Sequence, residues 1–168
     1  MRALVTYSSL TGNTKKVAEA IYEEINIEKD IFKSNEDFNI ENYDFIVVGY
    51  WVNKGICDDK IKEILEKANN KNIILFGTLG AKENGPYYES IKKRIEALVP
   101  ESNKILGHFL CQGKINEKLT ERYKEMLKNN QGDEHVKEQL KNHEEAMKHP
   151  DEKDIYNAKM FIRECISY

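Results

Sequence analysis

The chain has 168 residues, 40% of them hydrophobic, which suits one domain with a buried core. Charged residues make up 33%, yet the formal net charge is only −3, so nothing favours general nucleic-acid or membrane binding. The three cysteines, Cys57, Cys111 and Cys165, are odd in number, far apart and without a CxxC pair. That pattern argues against a disulfide framework or a zinc site and for a reducing, cytoplasmic setting. Met1-Arg2 leads straight into a strand, and no leader or membrane span is expected.

Ala3 to Tyr7 is a short apolar, β-branched and aromatic run, which predicts a buried first strand. Between Thr14 and Ile25, the residues Val17, Ala18, Ile21 and Ile25 recur at helical spacing. The connection, Ser8-Ser9-Leu10-Thr11-Gly12-Asn13-Thr14, consists mostly of hydroxyls with one glycine and one asparagine. A strand feeding a helix through such a turn aims free backbone N–H groups outward, along the positive end of the helix dipole. The hydroxyls of Ser8, Ser9, Thr11 and Thr14 add donors, and Gly12 lets the backbone approach an anion closely. This is the physics of a phosphate cradle. It is not a GxxxxGK[ST] loop, because only one glycine is present, and the turn holds no cation of its own. Neutral dipoles suit a monophosphate on a tightly held cofactor better than a triphosphate with magnesium. The alternative is an ordinary hydroxyl-rich turn with a Thr cap.

Asp30 to Lys33 is expected as a short second strand, and Ser34 to Tyr43 can hold at most a turn of helix. Phe45-Ile46-Val47-Val48-Gly49-Tyr50 is the most strand-like run. Ile61, Ile64, Leu65 and Ala68 predict an amphipathic helix. Asn72 to Gly77 reads as a fourth strand, ending in Thr78-Leu79-Gly80. Gly85-Pro86 marks a turn. Tyr88, Ile91, Ile95 and Leu98 then form the inward stripe of a helix that Pro100 ends. Lys104 to Cys111 is a fifth strand. Such alternation predicts an α/β fold, a parallel sheet with helices on both faces.

Residues 116–149 exceed what that pattern needs. Leu119, Tyr123, Met126 and Leu127 make one helical stripe, and Val136, Leu140 and Met147 a thinner one, with Gln131-Gly132-Asp133 between. They read as an inserted helical pair or an extended polar excursion, a solvated embellishment rather than a site. A last helix from Asp151, with Pro150 near its start, turns Ile155, Ala158, Phe161, Ile162, Cys165 and Ile166 inward.

Ser9-Leu10-Thr11-Gly12-Asn13-Thr14, directly after the first strand, resembles the flavodoxin phosphate loop, [ST]-x-T-G-x-T. The resemblance implies one non-covalent FMN with its phosphate at Ser9, Thr11, Gly12, Asn13 and Thr14; Ser8 and Leu10 belong to the same loop. It also implies a three-layer sandwich on a five-stranded parallel sheet of order 2-1-3-4-5. Ligands of such sheets sit at the carboxyl ends of the strands, at the switch between strands 1 and 3. The segments Ser8 to Thr14, Trp51 to Cys57 and Thr78 to Tyr88 are thereby expected to converge.

Trp51, the only tryptophan, can stack on a flat heterocycle or pack under its loop. In flavodoxins this loop supplies an aromatic against one flavin face, so Tyr50, Trp51, Val52 and Asn53 are implied neighbours of the cofactor. A flexible peptide in the same loop hydrogen-bonds the flavin N5 as it gains a proton, a role that points to Gly55, with a plain turn glycine as the alternative. Lys54 would either bring positive charge near the reduced flavin, raising its potential, or point to water. The resemblance gives Thr78, Leu79 and Gly80 to the pyrimidine edge and Tyr87 or Tyr88 to the second flavin face. Cys111-Gln112-Gly113 is expected at the rim, with the Cys111 thiol buried and Cys57 more exposed. The histidines His108, His135, His143 and His149 form no ligand cluster.

Tyr50-Trp51-Val52-Asn53-Lys54-Gly55, Phe76-Gly77-Thr78-Leu79-Gly80 and Cys111-Gln112-Gly113-Lys114 also resemble a group of flavodoxin-like proteins from anaerobic bacteria, some associated with bilirubin reduction. The implied function is an FMN electron carrier serving an unidentified redox protein or reductase, as a monomer or weak dimer. The alternative is an NAD(P)H-dependent FMN or quinone reductase, which needs a second pocket over the flavin. No clear Arg cluster for a dinucleotide phosphate is visible. A phosphorylation receiver would need acidic residues at Tyr7-Ser8-Ser9, and a low-molecular-weight tyrosine phosphatase would need Cys-x5-Arg; both are absent.

Overall fold

The computed structural model describes residues 1–83 and 85–167. Five strands, β1 (Arg2–Tyr7), β2 (Glu28–Lys33), β3 (Phe45–Trp51), β4 (Asn72–Leu79) and β5 (Lys104–Gln112), pair in parallel in the order β2-β1-β3-β4-β5. Six α-helices accompany them: α1 (Asn13–Glu24), α2 (Asp59–Lys67), α3 (Gly85–Glu96), α4 (Glu117–Asn129), α5 (Glu134–Ala146) and α6 (Glu152–Cys165). The polar second crossover holds only a 3-10 turn, Ile40–Asn42. This is the expected doubly wound architecture.

Side-chain alternation along each strand divides the core in two. Leu4, Ile46, Val48, Ile73 and Leu75 face Ile61 and Leu65 of α2 and Ile91 and Ile95 of α3. Their neighbours Ala3, Val5, Val47, Ile74 and Phe76 face Val17 and Ile21 of α1 and Ala158 and Ile162 of α6.

Several boundaries differ from the sequence expectations for physical reasons. β2 starts at Glu28 rather than Asp30, because Arg2 of β1 pairs with both acids and carries the ladder back. β3 runs through Trp51 and β4 through Leu79, since Trp51 stands opposite Thr78 and the Val52 amide still donates to the Thr78 carbonyl at 2.9 Å. Gly85-Pro86 is not a separate turn but opens α3, where the missing proline N–H has no helical partner to lose. Met147 lies just past α5 and is exposed, so it does not extend that stripe inward. Phe161 and Cys165 are only half-buried. Asp58 caps α2 by accepting from the Ile61 amide at 2.9 Å, and Asp151 with Asp154 forms a capping box on α6.

Candidate functional site

The carboxyl ends of β1, β3, β4 and β5 share one cleft of about 600 Å³. Its walls are Leu10, Thr11 and Asn13; Trp51, Val52 and Asn53; Thr78, Leu79 and Gly80; and the stretch after β5. A second hollow of about 480 Å³, next to the same first turn, is lined by Ser8, Ser9, Gly12, Lys15, Lys33, Ser34, Asp58 and Lys60, among others. The turn after β1 thus stands between two depressions.

Within that turn Gly12 adopts φ +90°, a left-handed conformation that glycine takes without strain. The bend brings the Gly12 and Lys15 amides onto one acceptor, Ser9 Oγ, at 3.2 and 3.3 Å. Converging amides at a helix start are the arrangement an anion exploits. The turn is tied down on three sides. The Ser8 hydroxyl bonds the Asp58 carboxylate, the Asn13 side-chain amide donates to the Lys114 carbonyl at 2.9 Å, and Thr14 Oγ1 meets Thr78 Oγ1 at 2.8 Å. Thr14 and Thr78 are both 1% exposed, so this contact is a buried strut from the turn to β4. Ser8 faces Asp58 rather than the cleft.

Asn53 and Ile56 exchange backbone hydrogen bonds of 2.8 and 3.2 Å. Lys54 (φ +52°) and Gly55 (φ +81°) form the two-residue tip between them, the geometry of a type I′ hairpin. The Gly55 carbonyl is held by Arg94 Nη1 of α3 at 3.2 Å, and a Cβ on Gly55 would run into that nitrogen. Lys54 and Gly55 lie outside the cleft wall.

Two further expected cofactor residues also stand away from the cleft. Tyr50 is fully buried against α2 and α3, with its hydroxyl on His108 Nε2 at 2.6 Å. Tyr88 is 7% exposed and donates to the Ala81 carbonyl at 2.8 Å. Inward alternation on β3 and the inward stripe of α3 account for both. Cys57 is buried, not exposed, because it closes the core over α2; burial and the adjacent Asp58 push its thiol up to about 11. Burial also raises Cys111, and it pushes Cys165 up to about 11. None is a thiolate near neutral pH.

Residues after β5 were missed by sequence reasoning. Lys114, Ile115, Asn116, Lys118, Leu119 and Arg122 make up an entire wall of the cleft. They are placed by a lock: the Gly80 carbonyl accepts from Gln112 Nε2 at 2.9 Å and from Asn142 Nδ2 of α5 at 3.0 Å, while Asn142 Oδ1 takes the Lys82 amide at 3.1 Å. Gly80 also lets Ile115 approach closely, since an added Cβ would collide with its side chain. The signal available was topological, because whatever follows a parallel strand emerges at the ligand-bearing edge.

The histidines serve structure. His108 joins Tyr50 to Glu96, which sits 2.9 Å from Nδ1; burial drives its pKa down to about 4, against the pull of Glu96. His143 is buried, bonded to Thr120 at 2.8 Å and edge-on to Tyr123. Partial burial opposes charge on His149, but Asp154 at 2.6 Å, Asp151 and Glu145 outweigh it and raise its pKa. That ring buttresses the cap of α6.

Residues 4–163 match the flavodoxin domain family, and the chain belongs to it. Among curated relatives it is similar to the flavodoxin-like domain-containing protein BilS of Clostridioides difficile (strain CD3). The two are 56% identical over 167 residues, covering 97% of this chain and 95% of the relative. BilS of Clostridium symbiosum (strain WAL-14163) is 30% identical over 179 residues, covering 96% and 94%. Oxidised flavodoxin 1 of Bacillus cereus superposes with TM-score 0.64 over 100% of this chain and 99% of its own, at 14% identity. The FMN complex of a Lactobacillus acidophilus NCFM flavoprotein gives TM-score 0.50 over 65% of this chain and 92% of its own, at 21% identity. Among the described residues, no helix is long and apolar enough to cross a membrane.

Proposed function

We propose that this chain is a flavodoxin-like electron-transfer protein that binds one FMN non-covalently in the cleft and exchanges electrons with a redox enzyme. The observation that carries this reading is the convergence of the Gly12 and Lys15 amides on one point, in a turn that also walls a cleft bearing Trp51. When bound, FMN supplies one- and two-electron chemistry; the protein supplies position, electrostatics and exclusion of water. The turn amides hold the phosphate, with the Thr11 and Thr14 hydroxyls beside them. Trp51 offers its indole to the ring system, and Leu10 and Leu79 shield it from water. Thr78, Leu79 and Gly80 present backbone to the pyrimidine edge. Arg94, by fixing the Gly55 carbonyl, holds the hairpin tip that follows Trp51 to Asn53.

In this reading the chain is one domain in which residues 116–149 elaborate the common fold, and the three free cysteines suit a reducing cytoplasm. A second reading, an FMN-dependent reductase of a small substrate, is favoured by one observation: Lys118 and Arg122 line the cleft. The visible spectrum of the purified protein tests the common ground. The reading expects flavin absorbance that co-purifies and is released as FMN on denaturation. Protein that stays colourless and takes up no FMN when it is supplied rejects the reading.

A further inference from the structure

Lys118 and Arg122 stand one helical turn apart on α4 and face the same cleft, with Lys114 just before the helix. Several other surface cations are paired. Lys15 pairs with Glu19, Lys60 with Glu63, and Lys124, on another face of α4, with Glu121. Among the described residues, the side chains of Lys114, Lys118 and Arg122 make no ion pair or hydrogen bond. An exposed cation that holds no ion pair is free to take a ligand's charge. The positive end of α4, capped by Asn116, adds to the same field, because Asn116 also lines the cleft. Beside the cations the rim is apolar: Leu119 is 38% exposed and Leu10 63% exposed.

We infer that this wall is an anion subsite for a second small molecule, one with an apolar body and a phosphate or carboxylate, which it seats over the cofactor. The inference rests on the FMN reading of the cleft, but the cations are not needed by FMN itself. FMN carries one phosphate, and the first turn provides for it. Lys118 and Arg122 are spaced about 6 Å along the helix axis, and Lys114 precedes the helix. A single phosphate on the turn would engage at most the near end of that line. The carboxylate source would be an organic acid that accepts or donates electrons; the phosphate source would be a dinucleotide. The substrate-side cation cluster that a reductase requires is therefore supplied by the inserted helix rather than by the common fold.

The test titrates the purified protein, with and without FMN, with NADP⁺, with naphthalene dicarboxylate and with neutral naphthoquinone, at low and high salt. Lys118→Gln/Arg122→Gln is the variant; both residues are exposed, so the fold is spared. The expected result is that at least one anion binds, with Kd rising about tenfold or more in the variant and rising with salt. The same substitutions leave naphthoquinone binding and FMN affinity unchanged. Binding of NADP⁺ alone assigns the phosphate source, and binding of the dicarboxylate alone the carboxylate source. The proposal is overturned if neither anion binds, if binding ignores salt and the variant, or if the variant weakens FMN by the same factor, which would give these cations to the cofactor. Failure of FMN to bind at all would instead reject the cofactor reading, while the FMN-free titrations still decide the anion subsite.

Discussion

Thr14→Val removes one hydroxyl at constant shape and exposes what holds the turn after β1 to the sheet. Thr14 Oγ1 and Thr78 Oγ1 are 2.8 Å apart, and both residues are 1% exposed. Among the described residues, Thr78 Oγ1 has no other partner. The substitution therefore buries an unpaired hydroxyl, at a cost of about 1–3 kcal/mol. For a chain of this size each kcal/mol lowers Tm by about 2–4 °C. Thr78→Val should cost a similar amount for the same reason. In the double variant no hydroxyl is orphaned, so its loss should fall short of the sum of the single losses by about 1–2 kcal/mol. Urea unfolding of the FMN-free protein measures all three. FMN titration of the same proteins separates the roles: Thr14→Val should weaken binding about tenfold or more if its hydroxyl also donates to the phosphate, whereas Thr78→Val should leave affinity nearly unchanged. Strictly additive single losses, or single losses under about 0.5 kcal/mol, would show that the hydroxyls are independent and the strut is no strut.

Other outcomes follow from particular residues. Trp51 emission should be strongly quenched by FMN, and Trp51→Ala should weaken FMN by about 0.5–1.5 kcal/mol beyond the lost area; emission indifferent to FMN removes the indole from the ring. Gly55→Ala should destabilise the protein by about 1–2 kcal/mol, because φ +81° is costly with a side chain and Arg94 is displaced as well; unchanged urea unfolding would mean the tip rearranges freely. Stability should fall as the medium is acidified from about pH 6.5 to about pH 4. Unfolded His108 takes up a proton near 6.5, whereas folded His108 resists until about 4, so the neutral form contributes stability above 6.5 that is lost through this window. The full loss is about 3 kcal/mol, and His108→Gln should flatten the acid limb; an equally steep limb in that variant assigns it to carboxylates. His149 works in the opposite direction. Its raised pKa gives stability that is complete below 6.5 and disappears as pH rises through the folded value, so Asp154→Asn should remove that alkaline-side loss.

The centre of the sheet was legible because β1, β3 and β4 carry their own apolar signatures. Ile46 to Val48 and Ile73 to Leu75 are continuous apolar runs of the kind that only a sheet covered on both faces requires. The bend and converging amides of the turn after β1 were legible because its chemistry is local: glycine, hydroxyls and a helix start within seven residues. Tyr50 and Tyr88 misled for the opposite reason. Their neighbours in sequence do line the cleft or follow it, but the alternation of a strand and the stripe of a helix turn these two rings into the core. The α4 wall was invisible because it depends on contacts across the fold. Nothing near Lys118 or Arg122 in sequence says that α5, bonded to α4 through His143 and Thr120, is also bonded through Asn142 to Gly80 in the cleft wall.

The central claim is that the turn after β1 holds a phosphate for a flavin lodged in the cleft. Titration of FMN-free protein with FMN and with riboflavin tests it most directly, since the two ligands differ only in that phosphate. Two charge-assisted hydrogen bonds from the Gly12 and Lys15 amides predict that FMN binds about a hundredfold or more tightly than riboflavin. Equal affinity for the two flavins would leave those amides with no role in binding and would contradict the account.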